Sequence, residues 1–142
     1  MKVLVSACLL GENCKYNGGN NYDPNVVAFL KGKEVIPICP EVMAGLGIPR
    51  IPIEIVNGEL RDRNGKSVDE ALRKAVAEVL KLAGEEQITC AVLKSRSPTC
   101  GVHQIYDGTF SGTLISGSGS LAKALMETGL QVMDAEDLKS CK

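Results

Sequence analysis

Apolar residues fall in short blocks along this chain, and the spacing inside each block indicates the element it forms. Val3 to Ala7 is a β-branched-rich run suited to a fully buried strand, followed by the polar loop GENCKYNGGNNYD. Lys33 to Ile38 and Ile88 to Leu93 read as two further strands, and LQVMD as a short last one. Helical spacing is clearest where Leu72, Val76, Val79 and Leu80 make one apolar stripe behind SVDE. That tetrapeptide predicts a capping box, with Ser67 at the N-cap, Glu70 reaching back and the helix ending near Gly84. Asp23 predicts the cap of a shorter helix that carries Pro24 in its first turn and ends near Gly32. A last helix is expected from Leu121 to Glu127, closed by Gly129. In IPIEIVNGELRD, Asn57 and Gly58 can both take the positive φ of a type I′ turn, so this stretch predicts a hairpin. VHQIYDGTFSG reads as a turn or short ribbon around Asp107 and Gly108.

Strands alternating with helices predict an α/β fold. The expected architecture is a mainly parallel sheet with helices on both faces, right-handed crossovers and a small β-hairpin. At 142 residues without repeats, linkers or low-complexity segments, the expectation is a single domain spanning 1–142. Composition removes several functions. A formal charge of −1 gives no basic excess for nucleic acid, and no apolar run approaches the roughly 18 residues that span a bilayer. MKVLVSACLLG lacks the length and cleavage site of a signal peptide, so the expected location is cytoplasmic. In that reducing compartment six cysteines point to metal binding or catalysis rather than to disulfides.

Three of those cysteines close apolar runs: Cys8 after VLVSA, Cys39 after VIPI, and Cys100 in the segment LKSRSPTCG. If the runs are parallel strands, all three thiols lie beyond the carboxyl edge of one sheet, where open α/β sheets bind ligands. Their wide separation in sequence excludes the close C-x-x-C pairing of zinc ribbons and thioredoxin-like sites. A single cysteine beside a strand is ordinarily a small buried hydrophobe, and Cys90 inside ITCAVL fits that description. Cys141 reads as an exposed spectator near the terminus, while Cys14, in a polar loop, is open to either role. Pro40 and Pro98 fix the backbone beside Cys39 and Cys100 and direct those segments away from helix and strand. Glu41 sits beside Cys39, and Ser95, Ser97 and Thr99 surround Cys100. Lys94 and Arg96 add positive charge expected to favour thiolates. Taken one at a time, the carboxylate is a solvated loop residue and the serines are turn caps.

The segments VSACLLGENCKYNGG, CPEVMAGLGIPRIPIEI, LKSRSPTCG and IYDGTFSGTLISGSG together resemble the thiouracil desulfidase family of small iron–sulfur proteins, over nearly the whole chain. The resemblance implies a [4Fe-4S] cluster on Cys8, Cys39 and Cys100, with one iron left without a protein thiolate. It further implies non-redox desulfuration of a thiocarbonyl substrate, a thiouracil-like thiolated nucleobase or related thioamide. In that scheme the open iron takes the sulfur, water replaces it on carbon, and sulfide is released. Glu41 and Ser97 match the residues that assist. Lys15 and Thr99 stand where the family often has arginine and serine.

Two other functions remain open on the residues alone. GSGSLA, residues 117 to 122, satisfies G-x-G-x-x-A before a helix and would cradle a phosphate, although it lies late in the chain rather than after the first strand. The second is a small structural zinc or iron–sulfur module without catalysis. A zinc site of that kind would be closed by Cys14 or by His103, the sole histidine.

Overall fold

The elements run in chain order as β1 (Lys2–Ser6), α1 (Pro24–Phe29), β2 (Glu34–Ile38), α2 (Pro40–Met43), β3 (Ile53–Val56), β4 (Glu59–Asp62) and α3 (Asp69–Glu85). There follow β5 (Cys90–Leu93), β6 (Gln104–Tyr106), β7 (Leu114–Ser116), α4 (Ser120–Glu127) and β8 (Gln131–Asp134), with 3-10 turns at Ala7–Leu10 and Ala135–Ser140. This is a computed structural model, and it describes residues 1–140.

Four strands form one sheet in the order β2-β1-β5-β8, every pair parallel. Side chains alternate across it. Leu4, Ala91 and Leu93 pack against Val76 and Val79 of α3 and Leu121 and Leu125 of α4. Val3, Val5, Cys90 and Val92 pack on the other face against Val26 of α1 and against Ala135 and Leu138. Burial on both faces is why the central strands read as continuous apolar runs rather than alternating ones. Each fully buried leucine or valine here contributes about 1.5–3 kcal/mol of transfer free energy. Pro37, which has no N–H for a ladder, lies in the edge strand β2. From β1 the chain crosses to one side, toward β2, and from β5 to the other, toward β8. The carboxyl ends of β1 and β5 therefore flank the topological switch point.

The α/β class and the mainly parallel sheet covered on both faces are as expected. The β3–β4 hairpin turns at Asn57 (φ 51°) and Gly58 (φ 80°), the expected type I′ geometry. The short ribbon expected around Asp107 and Gly108 is a second antiparallel hairpin, β6–β7: these residues lie in its loop, and Asp107 N–H donates to Thr113 O. The capping box does not form. The helix starts one residue later, with Val68 as its N-cap and Asp69 as its first residue, while the Ser67 hydroxyl donates to Glu59 and Glu70 lies 3.9 Å from Lys74. Arg61 makes an isolated bridge to Ser67, and Val68 N–H donates to Leu60 O, so the hairpin claims the backbone that a box would have used. Pro40 does not exclude a helix either. It occupies the first turn of α2, where a missing N–H leaves nothing unsatisfied.

Candidate active site at the carboxyl edge of the sheet

Each of the three strand-end cysteines is delivered by a different local device. After β1 the chain tightens into the 3-10 turn that carries Cys8, and Gly11 stops it at φ 96°. After β2, Cys39 is extended (φ −141°) and serves as the N-cap residue of α2. After β5, the loop through Ser97 and Pro98 carries Cys100 back to the sheet edge. All three line one cavity of about 460 Å³, a size typical of ligand clefts. Cys14 lines it too, whereas Cys90 is in the core on the far face. Cys141 lies outside the described residues, and the five described cysteines are free thiols.

The glycine motif before α4 grips the Cys100 loop and does not form a phosphate cradle. Ser120 N–H donates to Pro98 O at 3.0 Å, Leu121 and Ala122 N–H both donate to Thr99 O, and Gly119 N–H donates to Gly101 O at 2.8 Å. The first N–H groups of the helix, which an anion would otherwise attract, are thus spent on the protein's own carbonyls. Gly119 is required for this approach. A Cβ there would sit 2.5 Å from the Thr99 carbonyl carbon.

Inside the loop the hydroxyls form a directed chain. Ser97 Oγ accepts from Thr99 N–H (3.2 Å) and Cys100 N–H (3.1 Å), and lies 3.1 Å from Thr99 Oγ1. Thr99, fully buried, donates to Glu41 Oε1 at 2.8 Å. Thr99 has one proton, and the carboxylate is its strongest acceptor, so the Ser97 proton points at Thr99. Glu41, itself buried, has its other oxygen 3.8 Å from Cys39 Sγ. Glu41 and Ser97 therefore stand beside the thiols, and Thr99 joins them. Arg50, from the loop after α2, donates to Cys14 O at 2.9 Å and ties the Cys14 loop down.

Burial dominates the electrostatics. It pushes the Cys100 thiol up to about 12, with the Glu41 carboxylate adding to the shift, and pushes Cys14 up to about 12, with Cys39 and Cys8 adding. Cys39 is raised by burial and then by Glu41, and Cys8 by burial against the opposing pull of Asn21 and Lys94. Lys94 and Arg96 do not suffice to favour thiolates. Burial lowers the Lys94 ammonium itself, and Arg96 turns to Glu136 Oε1 at 3.4 Å. A cavity that crowds buried thiols against a carboxylate suits a cationic metal body that replaces the thiol protons. Among the described residues no three His, Cys, Asp or Glu side chains gather as for a single metal ion. His103 does not close a zinc site on this cavity, because it is exposed and bonded to Asp137 at 2.9 Å. Thr99 and Glu54 carry more of the site than the sequence indicates. Glu54 in IPIEI did leave a signal, a lone carboxylate in an apolar strand, and it is buried in the cavity wall.

Comparison with known proteins agrees with this fold. A family model described as 2-thiouracil desulfurase matches residues 3–137. The uncharacterized protein YbbK of Bacillus subtilis (strain 168) is 35% identical over 146 residues, covering 96% of this chain and 97% of its own. The solved structure of the [4Fe-4S]-dependent thiouracil desulfidase TudS aligns with a TM-score of 0.90 at 33% identity, over 97% of this chain and 93% of that one. With a family model across nearly all of its length and two relatives of matching extent, the chain belongs to the 2-thiouracil desulfurase family.

Proposed function

We propose that this chain is a desulfidase that converts the thiocarbonyl of a small thiouracil-type compound to a carbonyl and releases the sulfur as sulfide, using a [4Fe-4S] cluster on Cys8, Cys39 and Cys100. The observation that carries this reading is the convergence of three thiols, from three strand ends far apart in sequence, on one cavity that also holds a carboxylate. When bound, a cluster with three thiolates supplies an open, thiophilic iron as Lewis acid. The protein's own groups divide the remaining work. Thr99 holds Glu41 through Oε1 and leaves Oε2 on the side of the thiols. That oxygen takes a proton from the water that adds to the thiocarbonyl carbon and hands it to the departing sulfur. Ser97, with two lone-pair directions filled by backbone N–H groups, has its proton to turn from Thr99 toward the anion that develops on the substrate. Carbon exchanges sulfur for the oxygen of water, and no electrons are gained or lost. The absence of a basic excess favours a small-molecule substrate, and free thiols suit the reducing cytoplasm.

The test is anaerobic reconstitution followed by counts of iron and acid-labile sulfide and by sulfide release from 2-thiouracil. Wild type should bind iron and sulfide in equal amounts and turn over. Cys8→Ser, Cys39→Ser and Cys100→Ser should each lose the cluster, Cys90→Ser should keep it, and Cys14→Ala should keep the iron with lower activity. A fully loaded protein that leaves thiouracil unchanged would sink the proposal.

A further inference from the structure

Glu54 is a buried carboxylate that the scheme above does not use. Only 8% of its surface is exposed, and it lines the same cavity as the three thiols. Its Oε1 accepts two backbone N–H groups, from Gly108 at 2.9 Å and Phe110 at 3.1 Å, which anchors the β6–β7 loop on β3. The loop lies so close to β3 that a Cβ on Gly108 would meet Ile55 O at 2.5 Å, so this side of the carboxylate has no freedom. Oε2 accepts no hydrogen bond from the described residues. Nor is it sealed in, because Ser120 Oγ is the one fully buried side-chain polar atom without a partner among those residues. A fixed anionic acceptor therefore borders the cavity with one oxygen unspent.

We infer that Glu54 is the specificity-determining residue for the ring nitrogen of the substrate, its Oε2 accepting an N–H of the thioamide. This rests on the desulfidase reading above. A cyclic thioamide presents an N–H beside its C=S and is flat, and Tyr106, on the strand next to β3, offers an aromatic wall to such a ring. The two oxygens of Glu54 thus have separate tasks: one builds the wall and the other reads the ligand. A hydrogen bond to a charged acceptor is worth about tenfold to a hundredfold in affinity.

Glu54→Gln isolates the second task. The amide oxygen must keep the Gly108 and Phe110 N–H groups, because an NH₂ cannot accept them, so the NH₂ replaces Oε2 and turns the unspent acceptor into a donor. Calorimetric titration of the cluster-loaded protein with uracil and its two mono-N-methyl derivatives reads binding without turnover. Wild type should lose at least about tenfold in affinity when one of the two nitrogens is methylated. Glu54→Gln should bind uracil at least about tenfold more weakly and no longer distinguish that methylation, with iron content and visible spectrum unchanged. The kcat/KM values for the corresponding 2-thiouracils should follow the same pattern. Equal binding of the three ligands by wild type overturns the inference even if the variant fails to fold, and so does a variant that still discriminates. A wild-type protein that neither binds uracil nor releases sulfide overturns the desulfidase reading, and this inference with it.

Discussion

Thr99 has no exposed surface, yet its hydroxyl touches Glu41, Ser97 and, at 3.6 Å, Cys100 Sγ. Replacement by valine keeps the shape and removes the one donor to Glu41 Oε1 among the described residues. We expect Thr99→Val to retain iron while lowering the rate of sulfide release about tenfold to a hundredfold, the usual cost of losing a group that orients a ligand or base. Thr99→Ser should recover most of that rate at matched cluster occupancy, an outcome that a purely steric role would not give. Glu41→Gln should cost at least about a hundredfold if its carboxylate moves the proton, and a wild-type rate would reduce it to a structural acceptor. The gathering of Cys8, Cys39, Cys100, Glu41 and Ser97 at one cavity was legible in the sequence because each stands after a strand. The weight of Thr99 was not, and Glu54 left only the signal of a lone carboxylate in an apolar strand, since a threonine and a strand glutamate acquire importance only when burial deprives them of water as a partner.

Elements were legible where periodicity had room to act. The stripe of α3 and the positive-φ pair at Asn57 and Gly58 each left several concordant residues. The four residues of α2 make barely one turn and leave no period to read, and the start of α3 was set by the neighbouring hairpin. The glycines ahead of α4 were visible as a motif, but their partner, the Cys100 loop, is distant in the pattern and appears only in the fold. Gly119→Ala tests that grip. Its methyl would collide with the Thr99–Cys100 peptide, which is backbone and cannot swing aside. The variant should be destabilised by about 1–3 kcal/mol in urea melts. It should also lose the cluster faster to a chelator than wild type does, and unchanged stability and retention would refute the grip.

At the scale of the molecule, the sheet does what the alternation of apolar blocks foretold, and the meeting of three distant thiols follows from strands that all end on one edge. Parallel order could be argued from burial on both faces, whereas the exact strand neighbours could not, because nothing in a strand names its partner. The crowding of thiols has a global effect in the metal-free protein. Folding raises Cys14 and Cys100 from the usual 9.0 to about 12, so the folded state holds protons that the unfolded chain releases. That stabilisation is fully present below pH 9.0 and is lost as pH climbs from 9.0 toward about 12. Urea melts of the metal-free protein on either side of the usual thiol value should therefore show stability falling with pH, and Cys14→Ala should flatten the slope. A slope that is flat in wild type would contradict the burial of these thiols.

The hydrogen bonds from the start of α4 to Pro98 and Thr99 also act as a clock for how the site is assembled. The amide protons of Ser120, Leu121 and Ala122 can exchange with deuterium only when the Cys100 loop lets go of them. If they exchange slowly in the chain before iron is supplied, the loop that carries Cys100 is already in place, and the cluster loading proposed above would trade protons for metal rather than wait for a segment to fold.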